Sequence, residues 1–215
     1  MGMEIACFDL EGVFVPEIWI SVAEQTGIDQ LRLTTRDVSD YDQLMHHRLG
    51  ILAEYGLGLP DIQNVIARLN PLPGAREFLA WARTWFQVVI VSDTFYEFAG
   101  PLMKQLDYPV LLCHNLEVDQ SGAITGYAIR LAEQKQAIVK GFHSLNFSVF
   151  AVGDSYNDTG MLREADHGFL FNPPRRVAEE FPDLPVTTSY AELQDGFVQA
   201  SSRSIGVQPM SPVRL

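Results

Sequence analysis

Five short apolar runs punctuate the chain: Ile5 to Leu10, Val88 to Ser92, Val110 to Cys113, Val149 to Gly153 and Gly168 to Phe171. Each is short and apolar nearly throughout, the pattern of a strand buried on both faces. Between most of them lie segments with apolar residues at helical spacing. Strand and helix in alternation predict an α/β fold, a doubly wound parallel sheet. In such a sheet the carboxyl ends of the strands open onto the ligand crevice. Asp9, Ser92 and Asp154 stand at or just beyond three of these ends, so the sheet is expected to bring them together.

The stretch 16–71 breaks the alternation. It has no strand-like run, and its apolar residues recur at helical intervals: Ile18, Val22 and Ala23; Leu44, Leu49 and Leu52; Ile62, Val65, Ile66 and Leu69. Asp61 after Pro60 marks a helix start, and Gly56 and Gly58 punctuate the turn before it. The pattern predicts a small α-helical cap inserted after the first strand, with Pro71-Leu72-Pro73-Gly74 as the return hinge. The core is then discontinuous, residues 1–15 and 72–203. A β-hairpin is expected over Glu117 to Arg130, around Asp119-Gln120-Ser121-Gly122 with a bulge at Gly126. Residues 204–215 lack periodicity and are expected to be disordered.

Composition narrows the function. With 215 residues, 47% hydrophobic and 20% charged, the chain suits one good-sized globular domain or a core with a small insert. A net charge of −12 argues against nucleic-acid binding, which needs clustered Lys and Arg. An acidic protein that binds a phosphorylated molecule must build a positive site from few residues or recruit a cation. Cys7 and Cys113 lie inside apolar runs and are expected to be free buried thiols. No signal-like opening and no apolar run of membrane-spanning length is present, so a cytoplasmic location and no membrane partner are expected.

Two carboxylates at Asp9 and Glu11 can divide labour, one attacking phosphorus and the other moving a proton. Taken alone, an apolar run ending in Asp is equally an ordinary strand-to-turn junction. Val152-Gly153-Asp154-Ser155-Tyr156-Asn157-Asp158 ends another run with two acids. Alone it reads as a turn and helix cap, but two acid clusters at one crevice are costly without a cation. With Asp9, Asp154 suits a hard divalent ion such as Mg²⁺. Ser92 is read as preceding a helix whose first amides join its hydroxyl in holding phosphoryl oxygens, with a plain helix cap as the alternative. Lys135 opens a helix that leads to the Asp154 strand. Trp19, Trp81 and Trp85 are read as core packing. The five histidines lack metal-ligand spacing; His46 and His47 flank Arg48 in the insert and read as exposed residues.

In order, Asp9-Leu10-Glu11-Gly12, Ser92, Lys135 and Gly153-Asp154-Ser155-Tyr156-Asn157-Asp158 resemble the four motifs of the haloacid dehalogenase superfamily, over nearly the whole chain. Val15-Pro16-Glu17-Ile18-Trp19, Ser92-Asp93-Thr94-Phe95-Tyr96-Glu97 and Ala200-Ser201-Ser202-Arg203-Ser204 are similar to one branch of it, phosphoserine phosphatases that also transfer the phosphoryl group to homoserine. The resemblance implies a HAD-like Rossmannoid core and an Mg²⁺ cofactor. It implies Asp9 as nucleophile and Glu11 as acid/base, with Asp9, the Glu11 carbonyl and Asp154 as metal ligands. Ser92 and Lys135 would hold the phosphoryl group, with Asp93 beside them among the substrate-binding residues. Asn157 would contact substrate or phosphate, and Asp158 would orient Lys135. Glu17 and Arg48 match the cap residues that recognise the amino acid; a carboxylate suits an α-ammonium and a guanidinium an α-carboxylate. The partners implied are phosphoserine and homoserine or water, with a homodimer left open. A phosphatase for another small phosphorylated metabolite is the alternative.

Three departures stand out. Most superfamily phosphatases carry Asp at the position of Glu11, and the extra methylene moves the carboxyl by about 1.5 Å. Ordinary phosphoserine phosphatases have a glycine pair where this chain has Asp93-Thr94, and Gly-Asp-Gly where it has Gly153-Asp154-Ser155.

Overall fold

The computed structural model describes residues 3–34, 38 and 41–207. Along the chain lie β1 (Met3–Phe8), α1 (Ile18–Thr26), α2 (Tyr41–Glu54), α3 (Leu59–Ile66), α4 (Ala75–Trp85), β2 (Gln87–Phe95), α5 (Tyr96–Gln105), β3 (Val110–Val118) and β4 (Ile124–Ala128). There follow α6 (Gln134–Ser144), β5 (Phe147–Gly153), α7 (Thr159–Glu164), β6 (His167–Phe171), α8 (Arg175–Glu180), β7 (Val186–Thr187) and α9 (Tyr190–Ala200). The seven strands form one sheet in the order β4-β3-β2-β1-β5-β6-β7. Every pairing is parallel except β3 with β4.

β1 sits between β2 and β5, with Cys7 opposite Val89 on one side and Ala151 on the other. Its residues alternate between faces. Ala6 and Phe8 join a core with Phe14, Phe78, Phe150 and Phe197, while Ile5 and Cys7 join a second with Val91, Val139 and Val149. Apolar surface on both faces is why the run is continuous in sequence. Cys7 and Cys113 are free and buried, and burial pushes each thiol up to about 12, where it is unreactive.

Among the described residues, the α-helices α1 to α3 and a short 3-10 turn at Asp29–Arg32 occupy the interval between β1 and α4. Leu72 N–H donates to the Phe14 carbonyl (2.8 Å), tying the two ends of this interval together. At the start of α3 the Asp61 carboxylate accepts from Gly58 N–H (2.9 Å). The hairpin of β3 and β4 forms as expected, with its register slipping between Glu117 and Val118 opposite Gly126. Its turn reaches the helical segment, where Leu59 N–H donates to Gly122 O (2.8 Å).

Two sequence expectations are corrected. A helix does follow Ser92, but not directly: β2 runs on to Phe95 and α5 starts at Tyr96, so Phe95 and not Ser92 sits at its N-cap. Between Val91 and Phe95 the strand slips register against β3, a bulge that re-aims Ser92, Asp93 and Thr94. The expected disordered tail also starts too early. Ile205 is buried and the Gly206 carbonyl accepts from Trp81 Nε1 (2.8 Å), so the chain is packed through these positions. Residues 208–215 lie outside the described residues. Among the described residues no helix is long and apolar enough to cross a membrane.

Candidate active site

The crevice lies at the carboxyl end of β1. Asp9 N–H donates to the Val152 carbonyl (2.9 Å), which carries the β1–β5 pairing one residue past the strand and fixes where the Asp9 side chain emerges. The chain then turns at Gly12, whose φ of +75° favours glycine. Glu11 follows on the same rim. The β2 bulge presents Ser92, Asp93 and Thr94, and the end of β5 presents Asp154, Ser155 and Asn157. Lys135, in the first turn of α6, reaches in from one side, and Glu17 and Arg48 from the helical segment above. The crevice thus collects Asp9, Glu11, Glu17, Arg48, Ser92, Asp93, Lys135, Asp154 and Asn157; Asp158 lies fully buried behind it.

Lys135 is the electrostatic hub. Its Nζ lies 2.7 Å from Asp158 Oδ1, 3.0 Å from Asp9 Oδ1 and 3.7 Å from Asp93 Oδ2. Burial opposes its charge, but Asp158, Asp9 and Asp93 outweigh it and hold the ammonium well above the ordinary lysine range. Asp158 Oδ2 accepts from the amides of Asp154 (3.0 Å) and Ser155 (3.1 Å), so this carboxylate shapes the β5 loop as well as orienting Lys135. Asp9 is pushed well above the carboxylate range by burial, then by Asp158, against the pull of Lys135, with Asp154 and Asp93 adding to the rise. Asp93 moves the other way. Burial would raise it, but Lys135, His114, Gln134 and Asn157 hold it below its ordinary value.

Buried acids with one lysine between them need a further cation. Asp9, Asp154 and Asp158 each place a carboxylate oxygen within 4.8 Å of the others. Asp158 is tied to Lys135 and backbone amides behind the crevice, whereas Asp9 and Asp154 line it and suit a metal there. An all-oxygen, anionic, buried donor set fits a hard divalent cation.

On the upper side, Glu11 Oε2 accepts from Ile18 N–H (2.8 Å), so the longer side chain reaches the first residue of α1. Burial, and then Glu17, push the Glu11 carboxyl up to about 8. Arg48 is 7% exposed; its guanidinium carbon lies 4.5 Å from the centre of the Trp19 ring, and Nη2 donates to the Leu33 carbonyl (2.9 Å). Its Nε is buried with no hydrogen-bond partner. Burial lowers it to about 10, against the support of Glu11, Tyr41 and Glu17, so it stays cationic at neutral pH.

Sequence reasoning missed Thr34, Tyr41, Thr94 and Ser155 as lining residues. Trp19, read as core, packs against Phe98 (5.5 Å) and lines the crevice as well. Tyr41 donates to the Asp93 carbonyl (3.1 Å), a contact between elements that no local pattern announces. His114 and Gln134, buried behind Asp93, were also missed; Gln134 Nε2 donates to Asp93 Oδ1 (3.0 Å) and the Ser92 carbonyl (2.8 Å). His46 and His47 are exposed.

An acid at the end of the central strand, a lysine bound to it and an acid pair one strand over define a hydrolase site on a Rossmann-like sheet. Residues 24–163 match the haloacid dehalogenase-like hydrolase family, and the chain belongs to it. It is 58% identical to phosphoserine phosphatase ThrH of Pseudomonas aeruginosa over 205 residues, 95% of this chain and 100% of that protein. It is 55% identical to a phosphoserine phosphatase of Pseudomonas syringae pv. tomato over 204 residues, 95% of this chain and 86% of that one. A crystal structure of a phosphoserine phosphatase in apo form shares the fold, with a TM-score of 0.70 at 19% identity over 86% of this chain and 93% of that one.

Proposed function

We propose that the protein hydrolyses O-phospho-L-serine through an aspartyl-phosphate on Asp9, and passes the same phosphoryl group to homoserine when that alcohol is present. The observation that carries the substrate reading is Arg48, a buried cation above the phosphoryl site with Nε unpartnered. A guanidinium so placed suits an α-carboxylate, and Glu17 on the same rim suits an α-ammonium. The names and high identity of the two Pseudomonas relatives support the same reading.

Asp9 Oδ1 accepts from Leu10 N–H (2.8 Å) and faces Lys135, so Oδ2 is the attacking oxygen. Its attack forms the Oδ2–P bond and breaks the bond from phosphorus to the serine oxygen. Glu11, protonated at neutral pH, gives its proton to that oxygen. It then takes a proton from the incoming water or homoserine hydroxyl, which displaces Asp9 and restores the carboxylate. Lys135 and the Ser92 hydroxyl hold phosphoryl oxygens throughout. A divalent cation, Mg²⁺ in this reading, would be held by Asp9, Asp154 and the Glu11 carbonyl and supplies charge neutralisation at the phosphoryl group.

Phosphate release from phosphoserine with Mg²⁺, with and without homoserine, tests both parts. Less free phosphate together with phosphohomoserine supports transfer, whereas unchanged release leaves a plain phosphatase. Full turnover by Asp9→Asn overturns the mechanism, and a strong preference for a sugar phosphate overturns the substrate.

A further inference from the structure

Two of the three departures noted in the sequence, Asp93 and Ser155, meet on one side chain. Ser155 Oγ donates to Asn157 Oδ1 (2.5 Å), with Asp158 Oδ2 farther off at 3.4 Å. On the other side, Asn157 Nδ2 donates to Asp93 Oδ2 (2.9 Å). The pair of contacts selects one amide orientation, since a flipped amide would set Oδ1 against the Asp93 carboxylate. Asp93 is a firm anchor, its Oδ1 accepting from the buried Gln134. Asp93 follows the apolar run of β2 and Asn157 follows β5, and these strands flank β1. The bridge therefore spans the strand end from which Asp9 emerges. With glycine at 93 and 155 neither contact exists, and the Asn157 side chain is free to rotate.

We propose that Ser155 and Asp93 are positioning residues which lock the Asn157 amide before the substrate arrives, leaving its second Nδ2 hydrogen for a substrate oxygen. The role rests on reading this crevice as a phosphoryl-transfer site. Fixing an exposed amide in advance removes a conformational cost that binding otherwise bears. The extended backbone at Ser155 (φ −136°, ψ 179°) also accepts a β-branched residue, so a hydroxyl can be kept in a different side chain.

The test is a double-mutant cycle of Ser155→Gly and Asn157→Ala, with Ser155→Thr as the conservative variant, read as kcat/KM for phosphoserine and for a generic aryl phosphate. Thermal unfolding of each variant separates lost positioning from lost folding. Ser155→Gly should lower kcat/KM about fivefold, the worth of one hydrogen bond. Ser155→Thr should recover most of it, and Ser155→Gly should cost nothing further once Asn157 is alanine. Additive losses, or a Ser155→Gly enzyme as active as wild type, overturn the clamp. An inactive wild-type enzyme overturns the reading beneath it. Turnover of the aryl phosphate alone overturns only the phosphoserine assignment, and the cycle is then read on that substrate.

Discussion

A β-carbon at Gly12 would lie 2.5 Å from Cγ of Asp154. The turn after β1 and the loop after β5 are packed so closely that the carboxylate rests on bare backbone. Gly12→Ala therefore pushes Asp154 aside in addition to straining a backbone at φ +75°. Displaced ligand geometry typically costs tenfold or more in metal affinity, so the Mg²⁺ concentration for half-maximal activity should rise by about that factor. The strain alone should lower stability by about 1–2 kcal/mol. A magnesium titration of activity, with denaturant unfolding alongside, checks both.

Lys135→Met removes the ammonium that lies between Asp9, Asp158 and Asp93. Turnover should fall at least about a hundredfold. The variant should also lose about 3–5 kcal/mol at neutral pH, because three acids are left without their partner. Burial and Asp158 raise the Asp9 carboxyl in the folded protein while Lys135 pulls it down, so loss of the lysine raises it further above its unfolded value. Stability is present below the unfolded value and is lost as pH rises through the folded one, so the deficit should shrink on acidification. Urea unfolding of wild type and variant at pH 7 and pH 5 measures this. A deficit that does not change with pH would refute it.

The Glu11 bond to Ile18 N–H anchors the longer side chain at the start of α1. Glu11→Gln keeps the length and loses the proton, and kcat should fall by about 10²–10⁴. Glu11→Asp keeps the acid but withdraws it by about 1.5 Å. It should retain more kcat than Gln while losing about 1 kcal/mol of stability with the hydrogen bond. Steady-state kinetics and thermal unfolding of the two variants separate chemistry from anchoring.

Arg48→Ala should raise KM for phosphoserine by at least about tenfold, one charged contact's worth. The effect on an aryl phosphate without an α-carboxylate should be far smaller. Equal losses on both substrates would mean that Arg48 supports the helical segment through Trp19 rather than reading the amino acid.

The strands and most of the acids were legible because each is announced locally, by an apolar run and the residue that ends it. Asp9, Ser92 and Asp154 converge for that reason. What escaped depends on relations between distant segments. The register slip after Val91 is a property of two strands together, so Ser92 read as a helix start. Trp19, Thr34 and Tyr41 line the crevice only because the helical segment folds over it. The packing of Ile205 and Gly206 was not legible, since it depends on contacts far along the sequence: Gly206 with Trp81, and just before it Ser201, Ser202 and Arg203 with Glu4.

That clamp carries a prediction of its own. Glu4 is buried in β1 and accepts from Ser201 Oγ (2.7 Å), Ser202 N–H (3.0 Å), Ser202 Oγ (3.0 Å) and Arg203 Nε (2.8 Å). Arg203 also donates to the Trp85 carbonyl and lies over Phe86. Burial alone would raise Glu4, but the bonds from Ser201, Arg203 and Ser202 outweigh it and hold the carboxyl below its ordinary value. A depressed folded-state pKa stabilises above the unfolded value, about 4.3 for glutamate, and that stability is lost as pH falls through the lower folded value. Other depressed acids, Asp93 and Asp166 among them, add to the same slope, so the informative quantity is a difference between proteins. Glu4→Gln should be less stable than wild type at pH 7, and the gap should narrow between pH 5 and pH 3. Arg203→Ala should cost about 1–3 kcal/mol at pH 7, since the carboxylate loses a charged partner and keeps its bonds from Ser201 and Ser202, and should recover part of that on acidification. Urea midpoints of the three proteins across this range decide it. A gap between wild type and Glu4→Gln that stays constant down to pH 3 would show that the charge of Glu4 does not hold the chain end in place.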